Sequence, residues 1–138
     1  MERHFLLNDS EFLRQFENCE LCPSDFSHEA HLRLGWIHIR LYGIDRAEKN
    51  VTAQLQNFVK YAKAEDKYHE TVTITGLRVI NYFMKKSNCA TFMEFIKEFP
   101  QLKYNFKNLI NSHYKNDVFS SPIAKSQYIK PDLNPFHS

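Results

Sequence analysis

Between Asp45 and Ala62 the apolar residues Val51, Leu55, Phe58, Val59 and Ala62 recur at i, i+4, i+7, i+8 and i+11. That is the repeat of a helix with one buried face. Asp45-Arg46-Ala47-Glu48 ahead of it has the acceptor-x-x-Glu spacing of a capping box and is expected to open the helix. Similar stripes cover most of the chain. Asn8, Asp9 and Ser10 offer caps for a short helix bearing Phe12, Leu13 and Phe16. A second helix is expected from Ser24 or Ser27 to Gly43, a glycine placed to end it. Lys63 to Lys67 is polar and reads as a loop.

Thr71-Val72-Thr73-Ile74-Thr75 alternates like a strand. Continued through Leu77, Val79, Ile80, Phe83 and Met84, however, the apolar set falls on one helical arc, which predicts a helix over 69–87. Thr91-Phe92-Met93-Glu94 is a second capping box, and its helix should stop at Pro100. Leu102, Phe106, Leu109, Ile110 and His113 fit one last helix. Pro122, Pro131 and Pro135 then mark an extended tail. The expected fold is all-α, a compact bundle of five to six helices. A chain of 138 residues fits a single domain, with an N-terminal helix within 1–20, a core over 24–115 and the tail over 116–138.

Composition removes several functional classes. Hydrophobic residues are 43% and charged residues 25%, which excludes a disordered chain. Three scattered glycines cannot build a phosphate-cradling loop, so no nucleotide cofactor is expected. A formal charge of +2, with dispersed Lys and Arg, argues against a nucleic-acid partner. No segment resembles a signal peptide or a membrane span, which points to the cytoplasm and away from membranes. Three cysteines do not make a disulfide framework. Cys19-Glu20-Leu21-Cys22 reads as C-x-x-C, but it ends a helix and runs into Pro23. It therefore lacks the strand-then-helix setting of a redox motif, and only Cys89 could add a thiol for zinc.

Seven histidines are the chemically suggestive feature. On a wheel of about 100° per residue, His28, His31, Gly35, His38 and Tyr42 form one stripe. Glu29, Arg33 and Arg40 lie opposite and are assigned to the solvent face. His69 faces inward on the 69–87 helix beside Gly76, and His113 extends the stripe of the last helix. His4 and His137, near the termini, do not join them. A neutral imidazole is a good metal ligand and the side chain best poised for proton transfer near neutrality. Mid-helix Gly35 and Gly76 each cost about 1 kcal/mol against alanine, so close helix packing or room for a ligand should offset them. With Glu29 assigned outward, a carboxylate-bridged di-metal centre is not expected.

Three segments carry a resemblance: Phe26-Ser27-His28-Glu29-Ala30-His31-Leu32, then Tyr68-His69-Glu70-Thr71-Val72-Thr73, then a closing stretch with His113-Tyr114, Ser120-Ser121-Pro122-Ile123-Ala124 and the tail Pro131-Asp132-Leu133. From about Phe26 onward the chain resembles a family of small helical microbial proteins without an assigned activity. Lys115 and Lys125 depart from its pattern, where Ser and Arg are expected. The resemblance picks out His28, His31, Tyr68, His69, Glu70, Thr71, Thr73, His113 and Tyr114.

Two functional readings follow. In the first, an internal histidine-rich site binds one divalent metal, zinc or iron, and acts on a small molecule. His31 and His69 would be its leading ligands, with His28 or His113 third. Glu70 would serve as base or as a support for the ligands, and Thr71, Thr73 and Tyr114 would orient water or substrate. In the second, the module is non-catalytic and its buried histidines form a structural hydrogen-bond network. An adaptor role through Phe119, Tyr128 and Phe136 rests on composition alone.

Overall fold

The protein is described by a computed structural model over residues 1–134, so Pro135, Phe136 and His137 lie outside the described residues. The fold is all-α: among the described residues there are eight α-helices, five of them of seven residues or more, and no strand. The chain divides into two compact units, Met1–Tyr68 and His69–Ser138.

The first unit opens with a 3-10 turn at Arg3–Leu6, followed by α1 (Asp9–Glu17), a second 3-10 turn at Pro23–Asp25, α2 (His28–Tyr42) and α3 (Ile44–Tyr61). The Asn8 side chain caps α1 by accepting from the Glu11 N–H, and Ser27 caps α2 by accepting from the Ala30 N–H. Gly43 joins the two long helices on its own. Its φ of +82° is the left-handed backbone that glycine adopts without strain, and its N–H bonds the Ile39 carbonyl while its carbonyl accepts from Ala47. Asp45 is therefore not the cap expected from the sequence, because α3 already begins at Ile44. Of the stripe read from the spacing, Val51, Leu55 and Phe58 are buried and Val59 and Ala62 are half-buried, while Ala47 joins the buried face one turn earlier. Phe16, Phe26 and Phe58 form an aromatic cluster with ring centroids 4.8–5.1 Å apart. Each such pair adds about 0.5–1.5 kcal/mol beyond area burial. The segment expected as a loop after α3 contains a 3-10 turn at Glu65–Lys67.

The second unit consists of α4 (Glu70–Met84), α5 (Phe92–Glu98), α6 (Gln101–Tyr104), α7 (Phe106–Asn111), a 3-10 turn at Val118–Ser120 and α8 (Pro122–Ser126). The β-branched run 71–75 is helical. Thr73 donates to the His69 carbonyl one turn back, while Thr71 and Thr75 are fully buried, so tertiary contacts override local strand preference. Thr91 caps α5 as the sequence predicts, accepting from the Glu94 N–H and donating to its carboxylate. The last helix, expected over 102–113, is broken: Asn105, at φ −137° and ψ 27°, separates α6 from α7. Gly76 lies under α7, where an added Cβ would come within 2.9 Å of Phe106 Cζ. Close helix approach thus accounts for that glycine. The tail is only partly extended, since it holds the 118–120 turn and α8.

Candidate functional site

The wheel assigned Glu29 and Arg33 to solvent, and the structure reverses this. Glu29 is 5% exposed and Arg33 is 4% exposed, whereas His28 and His31 on the opposite stripe are exposed. The physical reason is the segment 1–17. It lays Phe5 and Phe12 against Arg33, whose guanidinium carbon lies 5.5 Å and 4.7 Å from the two ring centroids. Arg33 Nη1 donates to the His4 carbonyl at 2.7 Å, and Nη2 donates to the Leu7 carbonyl at 2.8 Å and to Asp9 Oδ1 at 2.9 Å. A charged side chain tolerates such burial when most of its donors are matched, as both Nη atoms are here; Nε is buried without a partner among the described residues.

This docking brings His4, expected to take no part, into the interior at 1% exposure. Its Nε2 lies 2.8 Å from Glu29 Oε1 and 3.8 Å from Glu2 Oε1, and its Nδ1 lies 3.3 Å from Arg33 Nη1. Ser27, besides capping α2, donates its hydroxyl to Glu2. Burial pulls the His4 imidazole below its ordinary pKa; the Glu29 hydrogen bond and charge oppose this, and Arg33 adds to it. Glu2, His4 and Glu29 form a group whose ligand atoms all lie within 4.8 Å of one another, close enough to hold a metal ion. Two oxygens and one imidazole nitrogen suit a divalent cation such as zinc or iron. Ligands at about 2.1 Å from a metal stand roughly 3.0–3.4 Å apart, so the observed spacings bracket what an ion needs.

The histidines singled out from the sequence have other partners. His31 Nδ1 bonds the Ser27 carbonyl at 2.9 Å, and its ring lies 3.8 Å from that of Phe26. His69 is the N-cap of α4. Its Nδ1 accepts from the Val72 N–H at 3.1 Å and its Nε2 donates to the Val118 carbonyl at 2.9 Å. His113 Nδ1 donates to the Asn134 carbonyl at 2.6 Å. Glu70 is half-buried in the first turn of α4. His28 and His31 belong to the first unit, His69 and His113 to the second.

Several other marked residues fasten the tail within the second unit. Thr71 Oγ1 donates to the Gln127 carbonyl at 2.8 Å and accepts from the Ile129 N–H at 3.0 Å. Tyr114 donates to the Ile129 carbonyl at 2.7 Å and accepts from the Thr75 hydroxyl at 2.8 Å. Asp132 accepts from the Lys115 N–H. Burial pushes the Tyr114 phenol up to about 12, which keeps it a neutral donor.

The cysteines are free thiols that turn to different partners. Cys22 Sγ lies 3.1 Å from Ser24 Oγ, and Cys19 Sγ lies 3.9 Å from the Asn57 carbonyl. Among the described residues, no helix is long and apolar enough to cross a membrane. The chain matches no family model, no curated protein and no solved structure.

Proposed function

We propose that the first unit binds one divalent metal ion, zinc or iron, through Glu2, His4 and Glu29, and that the centre acts on a small molecule. The observation that carries this reading is the convergence of three ligand atoms within 4.8 Å, drawn from two separate segments of chain. Three protein ligands leave coordination positions for water or substrate, the arrangement of catalytic rather than structural zinc. The Glu2 side chain, 35% exposed, gives solvent a route to the group, while His4 and Glu29 are sealed. This assigns the metal to residues other than His28, His31, His69 and His113. It also gives Thr73 and Tyr114 structural rather than catalytic roles, which their bonds to main-chain carbonyls support.

A specific observation favours a second reading. His4 has Glu29 on one nitrogen and Arg33 on the other, so the same group can serve as a closed polar clasp that pins residues 1–9 to α2 without any ion. Metal analysis of the full chain, purified without a histidine tag, separates the two. The metal reading expects close to one zinc or iron per chain after reconstitution, and a rise in melting temperature that Glu29→Gln and His4→Ala remove. Sub-stoichiometric metal under every reconstitution condition, with unchanged melting, leaves the clasp.

A further inference from the structure

Arg33 touches the candidate ligand His4 on the side away from the metal position, and what it does there is unusual. A guanidinium can donate hydrogen bonds but not accept them. The His4 Nδ1 that faces Arg33 Nη1 at 3.3 Å must therefore present its lone pair, and the ring hydrogen sits on Nε2, where Glu29 accepts it at 2.8 Å. That tautomer is the wrong one for a metal on Nε2, because the hydrogen occupies the lone pair that the ion needs. Metal-binding histidines ordinarily have the reverse arrangement: the nitrogen away from the metal carries the hydrogen and donates it to a carboxylate or carbonyl. Shifting the hydrogen to Nδ1 here would set one N–H against another.

We infer that Arg33 sets the metal affinity of this site, by holding His4 in the Nε2–H tautomer so that an ion enters only when Arg33 lets go of Nδ1. The inference rests on the reading of Glu2, His4 and Glu29 as a metal site. Arg33 can let go without losing its place. Nη1 keeps the His4 carbonyl, Nη2 keeps the Leu7 carbonyl and Asp9, and the stem stays between Phe5 and Phe12. The metal is thereby made exchangeable, held more weakly than its ligand set alone would hold it. Arg33 acts through His4 and is a positioning residue.

The test uses the full chain at one fixed pH, with Co²⁺ as the probe because its visible absorption reports the ligand field. Arg33→Met keeps the apolar stem and removes the donor, and it should bind Co²⁺ about tenfold more tightly, the lower end of what partners behind a metal ligand contribute. Asp9→Asn weakens the anchor but leaves Nη1 on Nδ1, and its affinity should not rise. Long-range proton–nitrogen NMR of the metal-free wild type should show His4 with its hydrogen on Nε2; Arg33→Met should keep it there while Glu29 still accepts it, and should carry it on Nδ1 once Zn²⁺, a diamagnetic probe, is bound. A zinc-loaded Arg33→Met whose His4 carries no hydrogen on Nδ1 would overturn the inference. So would a wild-type His4 with its hydrogen on Nδ1, a result that needs no variant to fold. A folded Arg33→Met that binds Co²⁺ no better than wild type would also overturn it. If neither protein binds Co²⁺ while the tautomers are as expected, the metal reading itself fails and Arg33 keeps only its hold on the ring.

Discussion

His38 gives the sharpest test of the energetics. It stands in the middle of α2 at 3% exposure, and neither ring nitrogen has a hydrogen-bond partner among the described residues. Burial pulls its imidazole from 6.5 down to about 4. In the unfolded chain the ring returns to its ordinary value, so between these pH values the unfolded state binds a proton that the folded state refuses. Stability therefore rises with pH through this window, and the contribution present above 6.5 is lost as pH falls toward 4. The gap, at about 1.4 kcal/mol per pH unit, makes roughly 3 kcal/mol. Replacing His38 with leucine, of similar size, removes both the titration and the unpartnered nitrogens. At pH 7 His38→Leu should be more stable than wild type by about 1–3 kcal/mol, the cost of leaving buried polar atoms unmatched. Its advantage should widen by about 3 kcal/mol on descending to pH 4. Urea denaturation of both proteins at matched pH values, followed by circular dichroism, measures the difference with the other titrating groups in common. An advantage that stays flat across pH, or a variant less stable than wild type at pH 7, would refute the reasoning.

Tyr114→Phe removes the donor to the Ile129 carbonyl and leaves the buried Thr75 hydroxyl without its acceptor, so it should cost about 1–3 kcal/mol. Limited proteolysis should then cut first within 127–134, and Thr75→Val added to Tyr114→Phe should restore part of the loss. Gly76→Ala gains about 1 kcal/mol of helix propensity but drives a methyl against Phe106, an overpacking that costs about 1–3 kcal/mol. Thermal denaturation should show net destabilisation in wild type and net stabilisation in a Phe106→Leu background.

The helices were legible where chain chemistry is local. Asn8, Ser27 and Thr91 sit at caps and Gly43 at a stop, and the stripe of α3 is the buried one. The candidate site was not legible, for a physical reason. A helical wheel weighs each residue only against its own helix, and it sends Glu29 and Arg33 to solvent because they are charged. It cannot register that another segment covers them. A signal was present all the same: Glu29 and Arg33, opposite charges four residues apart, stand among Ala30, Leu32, Leu34, Trp36 and Ile37, and Phe5 and Phe12 upstream needed a surface to cover. The sequence places His69 inside the 69–87 helix as an inward ligand, whereas it is a half-buried cap, a position that Ser, Thr, Asp and Asn hold far more often. The break at Asn105 depends on the backbone of one residue, which no periodicity encodes.

Gly43 also bears on the order of assembly. Because one residue joins α2 to α3, helices of 15 and 18 residues, pairing them closes almost no loop and loses little chain entropy. Contacts so local form early. The bonds of His4 to Glu29 and Arg33 span 25 and 29 positions, and they need α2 already in place to receive them. The Glu2–His4–Glu29 group is thus a late product of folding, completed on a surface that the hairpin has already built.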